Sequence, residues 1–204
     1  MKIICIGRNY VDHAKELNNP VPEEPVFFMK PDTALLRNNA PFFYPSFSKD
    51  IHHEVELIIK INKVGRCIGE KFANRYYSEV GLGIDFTARD VQQRCKEKGL
   101  PWEVAKAFDF SAPISSKFLP ISDFESVDRI PFRLVKNGEV VQQGNSGDML
   151  FSVNRIISYV SQYVTLKIGD LIYTGTPAGV GSVAIGDRLQ GYIADTLMFD
   201  FEVK

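Results

Sequence analysis

The 204-residue sequence has only three cysteines, Cys5, Cys67 and Cys95, an odd number with no CxxC spacing. That argues against a disulfide framework and fits reduced thiols in a cytoplasmic protein. No lysine- and arginine-rich block stands out and the formal net charge is −1, so the basic footprint that nucleic acid needs is missing. The apolar run near the amino end, Ile3-Ile4-Cys5-Ile6, is too short for an export signal or a bilayer span, and no membrane partner is expected. Repeats and low-complexity linkers are absent, which points to one continuous domain over residues 1–204. The glycine-rich stretch Thr174-Gly175-Thr176-Pro177-Ala178-Gly179-Val180-Gly181 lacks the lysine and spacing of a phosphate-binding loop and does not match GxGxxG, which argues against a nucleotide site.

What is present is an ordinary globular balance, with 45% apolar and 24% charged residues, which argues against a disordered chain. Strand patterns dominate, at residues 26–29, 55–61, 81–86, 131–135, 139–143, 170–173, 188–193 and 197–203. Asn137-Gly138 between two of them predicts a type I′ hairpin. Helical spacing predicts three helices, at 10–17, 88–98 and 153–164, the second opened by a Thr87/Asp90 capping box and closed by Gly99 and Pro101. Residues 31–50, interrupted by Pro31, Pro41 and Pro45, read as loop.

Glu54 and Glu56 sit two apart in a β run, so their side chains share a face and can converge on one ion. A bare pair of this kind is more often an exposed strand edge, but here the neighbours Val55, Leu57, Ile58 and Ile59 imply burial on both faces. Like charges in such a place call for a counter-charge. Asp85, at the exit of the apolar run Val80-Gly81-Leu82-Gly83-Ile84, is a third candidate ligand, or else an acid at a helix start held by amides. Three carboxylates favour a hard ion, Mg²⁺ or Mn²⁺, over zinc. His13 and Glu16, three apart on the first helix, are a candidate base and its orienting acid, or an incidental surface pair. Lys106 is either a surface lysine or an electrophile beside the metal. The amides around Thr176 are suited to a small carboxylate, or form a plain tight turn.

These residues lie in motifs that together resemble the fumarylacetoacetate hydrolase family, specifically its short single-domain branch of acylpyruvate hydrolases and oxaloacetate decarboxylases or tautomerases. The resemblance runs nearly end to end, through Gly7-Arg8-Asn9-Tyr10 with His13 and Glu16, Phe28-Met29-Lys30-Pro31, His53-Glu54-Val55-Glu56-Leu57, Asp85-Phe86-Thr87-Ala88-Arg89-Asp90, Gly99-Leu100-Pro101-Trp102 through Lys106, and Thr174-Gly175-Thr176-Pro177. It implies an α+β, predominantly β fold, a mixed β-sandwich roll with a few short helices, and a homodimer. It also implies Glu54, Glu56 and Asp85 as ligands of Mg²⁺ or Mn²⁺, His13 with Glu16 as a water-activating pair on a lid helix, and Lys106 as the active-site lysine. Arg89, Gln92, Lys30 and Thr176 fall where substrate contacts are expected.

The activity expected first is cleavage of the C–C bond of small acylpyruvates through a metal-stabilised pyruvate enolate. Oxaloacetate decarboxylation, keto-enol tautomerisation, and hydration or isomerisation of 2-hydroxydienoates from aromatic catabolism share that chemistry. A non-catalytic metal-binding module is the competing class, and it has no need of His13, Glu16 and Lys106.

Overall fold

The computed structural model describes residues 1–16 and 20–204, with the backbone alone at 13–15. In chain order the elements begin with β1 (Ile3–Gly7), α1 (Val11–Glu16), β2 (Val26–Lys30), β3 (Leu35–Leu36), β4 (Ile51–His53), β5 (Val55–Ile61), β6 (Tyr77–Ile84) and β7 (Thr87–Ala88). They continue with α2 (Arg89–Lys98), α3 (Glu103–Lys106), β8 (Ala112–Pro113), β9 (Leu119–Pro120), β10 (Pro131–Lys136), β11 (Glu139–Asn145) and α4 (Val153–Tyr163). The last strands are β12 (Leu171–Tyr173), β13 (Gly181–Ser182), β14 (Arg188–Ile193) and β15 (Thr196–Glu202).

A six-stranded mixed sheet, in the order β2-β1-β12-β5-β6-β9, carries the site, and only β1 and β12 run parallel in it. Its two-residue alternation serves two cores. Ile4, Ile6, Leu57, Ile59, Leu82 and Ile172 face the larger one, which they share with Phe132, Leu134, Leu189 and Phe199 of the four-stranded sheet β11-β10-β14-β15. Ile3, Cys5, Ile58, Leu171 and Tyr173 face a smaller cluster on the other side. Each fully buried side chain of this size contributes about 1.5–3 kcal/mol, so both faces hold the central strands in register. Outside these sheets, β13-β4-β7 and the pair β3-β8 form two smaller ones.

The fold is the predominantly β architecture with few short helices that the sequence implies. The hairpin forms as expected, with Lys136 opposite Glu139 and positive φ at Asn137 and Gly138. Helix α4 buries Val153, Ile156, Ile157 and Val160 on one face, and Ser152 caps it by accepting the Arg155 N–H at 3.2 Å. Helix α1 forms within the expected 10–17 but starts one residue later, because Tyr10 is bridged to Met149, and Leu17 lies outside the described residues.

Two expectations need correction. Residues 3–7, read only as a short apolar run, form β1, which lies between β2 and β12. The capping box does not form, because Thr87 pairs with His52 in β7 and its hydroxyl donates to Asp85 O at 3.2 Å. Asp90 instead accepts from Ser48 Oγ, Lys49 N and Val91 N. The far end of α2 behaves as expected, with left-handed Gly99 at φ 62° donating to the last carbonyls.

Candidate metal centre and substrate pocket

Glu54 sits at the joint between β4 and β5, Glu56 is the second residue of β5, and Asp85 follows the last residue of β6. Pairing of β5 with β6 sets Val55 opposite Ile84, and Asp85 N donates to Glu54 O at 2.8 Å, so the two strand ends are locked side by side. The three carboxylates are nearly buried, at 5%, 2% and 2% exposure, and each offers an oxygen within 4.8 Å of the others. Among the described residues no histidine or cysteine joins this cluster. The neighbouring His53 is engaged elsewhere, its Nδ1 2.9 Å from Gln142 Oε1.

Burial and the nearby charges of Asp85 and Glu54 push the Glu56 carboxyl well above the usual range. Part of the repulsion is answered by cations. Lys106, at the end of α3, lies 2.7 Å from both Glu54 Oε2 and Asp85 Oδ2, and Arg89 Nη2 lies 2.6 Å from Glu54 Oε1. Burial alone would lower the Lys106 ammonium, but Asp85 and Glu54 outweigh it and hold the group above its usual value. Asp85 Oδ1 has the Lys30 ammonium at 2.7 Å as an ion-pair contact yet lacks a hydrogen-bond partner. Three buried carboxylates brought together as hard oxygen donors fit Mg²⁺ or Mn²⁺, with positions left for water and substrate.

The glycine-rich loop after β12 is laid along β5. Thr174 donates N–H and Oγ1 to Leu57 O, Gly175 N donates to Glu56 Oε2 at 2.7 Å, and Thr176 Oγ1 donates to Val55 O at 2.9 Å. Gly175 is required here: its φ is 102°, and a Cβ would stand 2.6 Å from Asn9 Cβ. The loop's amide therefore orients the Glu56 carboxylate. Gln142, from β11, uses its whole amide to hold the arrangement, accepting from Val55 N and pairing with His53 while donating to Thr176 Oγ1 and Pro177 O.

A pocket opens over the cluster, lined by Arg8, Phe28, Glu54, Glu56, Asp85, Arg89, Gln92, Lys96, Trp102, Lys106 and Thr176 with Ile6 and Gly7. Arg89, Gln92 and Lys96 reach it from one face of α2, at positions i, i+3 and i+7. Of the residues expected from sequence, Arg89, Gln92, Thr176 and Lys106 are brought to this pocket together with all three carboxylates. Lys30 is not: it lies behind Asp85, with its ammonium also bonded to Phe86 O, Ser111 O and Ser111 Oγ. Thr176 lines the pocket, but its hydroxyl is engaged by Val55 and Gln142. Glu16 accepts from Gly179 N at 3.1 Å, which joins α1 to the glycine-rich loop. His13 lies in α1, and its side chain is outside the described residues. Sequence reading missed Arg8, Lys96, Phe28 and Trp102. The spacing of Lys96 from Arg89 on α2 was the available signal for one of them.

Compared with known proteins, residues 2–199 match the fumarylacetoacetate (FAA) hydrolase C-terminal family. The mitochondrial oxaloacetate tautomerase FAHD1 of Mus musculus is 44% identical over 202 residues, 99% of this chain and 91% of that protein. The mitochondrial oxaloacetate decarboxylase of Dictyostelium discoideum is 46% identical over 190 residues, 93% of this chain and 87% of that protein. The crystal structure of fumarylpyruvate hydrolase from Pseudomonas aeruginosa in complex with Mn²⁺ and pyruvate superposes with a TM-score of 0.93 at 36% identity, covering 100% of this chain and 89% of that one.

Proposed function

The chain belongs to the fumarylacetoacetate hydrolase family, and on that premise we propose that it is a Mg²⁺- or Mn²⁺-dependent enzyme whose substrate is oxaloacetate, acting by keto-enol tautomerisation with decarboxylation as the related outcome. The observation that carries this reading is the buried triad Glu54, Glu56 and Asp85 with Lys106 bridging two of its members. The sequence motifs by themselves put acylpyruvate hydrolysis first. The order changes because relatives 44% and 46% identical are named for oxaloacetate, whereas fumarylpyruvate hydrolase is matched at 36% identity. Acylpyruvate cleavage stays as the second reading, favoured by that neighbour's title, which names pyruvate and Mn²⁺.

Glu54, Glu56 and Asp85 would hold the ion, which when bound supplies a Lewis acid and a template for the 2-oxo acid head group. The chain's own groups do the rest. The main-chain N–H of Thr176, which donates to none of the described residues, is available to the substrate carboxylate, and Arg89 and Gln92 flank it from α2. Lys106, kept protonated by Asp85 and Glu54, stands where the 2-oxo oxygen gains charge as the C2–C3 double bond forms, and can donate to that oxygen. His13, backed by Glu16 on α1, takes the C3 proton in tautomerisation, or activates water when an acylpyruvate is cleaved. Tautomerisation leaves all carbon atoms in place, whereas loss of CO₂ from C4 leaves the enol form of pyruvate, so one pocket serves both. Three cysteines, none of them disulfide-bonded, support a reducing compartment such as the cytoplasm.

The test is a panel of oxaloacetate, acetylpyruvate and fumarylpyruvate, with and without EDTA, on the wild type, Glu54→Gln and His13→Ala. Enol formation from oxaloacetate that EDTA and Glu54→Gln abolish is the expected result. Turnover that ignores EDTA, or no turnover of any of the three, overturns the proposal. If His13→Ala loses acylpyruvate cleavage but keeps decarboxylation, its role is water activation.

A further inference from the structure

At the cluster, Glu54 and Asp85 are matched by Lys30, Arg89 and Lys106. Two other cations line the same pocket, Arg8 and Lys96, and among the described residues neither has a carboxylate within ion-pair reach. Both are partly buried. Partial burial of a cation is unfavourable unless an anion answers it, and two close enough to act on one another, as Arg8 acts on Lys96, are more so.

The chain keeps them there at a cost. Arg8 is a non-glycine residue in the left-handed region, at φ 58°, a conformation that costs roughly 1 kcal/mol or more. It is held by its neighbours. Gly7 ends β1, and the next residue, Asn9, is fully buried and clamped: its Nδ2 donates to Thr174 O at 2.7 Å and Phe151 O at 3.2 Å, and its Oδ1 accepts from Phe151 N at 2.8 Å. Strain that the surroundings impose this firmly at a pocket wall points to a use for the side chain it presents. Lys96 shares its helical face with Arg89 and Gln92, and burial together with the charges of Arg89 and Arg8 pushes its ammonium below the usual range. An anion between the two would relieve both.

We propose that Arg8 and Lys96 form a subsite for a second carboxylate, so that the pocket selects 2-oxo acids with an anionic group distal to the head group over those with a neutral tail. This rests on the 2-oxo acid reading for the head group, and it assigns the distal end, which the carboxylate triad does not touch. Oxaloacetate meets the requirement and acetylpyruvate does not.

The sole tryptophan, Trp102, lines this pocket with Lys96 Nζ 5.7 Å from its ring centroid, so its fluorescence reports occupancy directly. Malate and lactate share a 2-hydroxy acid head and differ by one distal carboxylate. They are titrated with and without Mg²⁺ into the wild type, Arg8→Gln, Lys96→Met and Lys96→Arg. Wild type is expected to bind malate about tenfold or more tightly than lactate. Arg8→Gln and Lys96→Met should each bring that ratio towards one while lactate affinity changes by less than about twofold, and Lys96→Arg should preserve it. A ratio unaltered in both charge-removing variants, or equal weakening of both ligands, overturns the subsite. If the wild type fails to turn over 2-oxo acids but keeps the malate preference, the functional reading fails and the subsite stands. Turnover with no malate preference is the reverse, and binding of neither ligand overturns both.

Discussion

Lys30 Nζ lies 2.7 Å from Asp85 Oδ1, on the side of that carboxylate away from the pocket, with both side chains withdrawn from solvent. The lysine thus neutralises one carboxylate of the candidate metal site from behind. Lys30→Met should strip Asp85 Oδ1 of its cation, leaving only Lys106 on Oδ2 beside two other carboxylates, and destabilise the protein by about 3 kcal/mol. Urea denaturation checks this, and a loss below about 1 kcal/mol would contradict the pairing.

Glu56 is the opposite case, since its carboxylate is answered by a main-chain N–H rather than by a cation. Glu56→Gln keeps an acceptor for Gly175 N and removes the most costly charge. The variant without metal should melt at or above the wild-type temperature, yet lose the stabilisation by Mg²⁺ or Mn²⁺, which for the wild type is about 2.7 kcal/mol at a hundredfold excess over Kd. A metal-induced shift that survives in the variant rules out Glu56 as a ligand.

Gln142 supports the glycine-rich loop through four contacts. Gln142→Leu strands Val55 N, His53 and Pro177 O in a buried setting, for a loss of about 2–4 kcal/mol. Amide exchange should accelerate at Gly175, whose N–H holds Glu56. Unchanged exchange there would show that the loop holds its place without the glutamine.

Acid should also act at a distance from the pocket. Burial pushes the Asp90 carboxyl up, but hydrogen bonds from Lys49 N, Ser48 Oγ and Val91 N prevail and hold it below its ordinary value. A folded-state value below the unfolded one means the contribution is present above the unfolded pKa, about 3.9, and is lost as pH falls through the folded value. Wild type should therefore exceed Asp90→Asn in stability near neutrality by less than about 1 kcal/mol, the site being close to the surface, and the gap should close in acid. A gap that widens on acidification reverses the sign and defeats the assignment.

The parts of the site legible in sequence were those set by local spacing. Glu54 and Glu56 share a face because strands alternate, and Arg89 with Gln92 share one because helices turn. Lys30 and Thr176 were noticed for the right neighbourhood, but their partners lie across the fold: Asp85 is 55 positions from Lys30, and Gln142 is 34 from Thr176. No local pattern says that a buried ammonium faces away from a pocket, or that a hydroxyl is already engaged. Thr87 and Asp90 have the spacing of a cap, yet strand pairing with His52 claimed the threonine and the loop at Ser48 claimed the aspartate. Arg8 was hidden for another reason, since its placement depends on a left-handed turn enforced by Asn9 against residues 142 positions and more away.

The parallel pairing of β1 with β12 also sets a timetable for synthesis. The first strand waits for a partner 168 residues downstream, which at ordinary elongation rates of 5–20 residues per second is a delay of about 8–34 s. Throughout it, Ile3, Ile4 and Ile6 have only β2 to pair with. A ribosome-bound chain halted before Leu171 should bind holdase chaperones through its amino end, and the chain released with all fifteen strands should not.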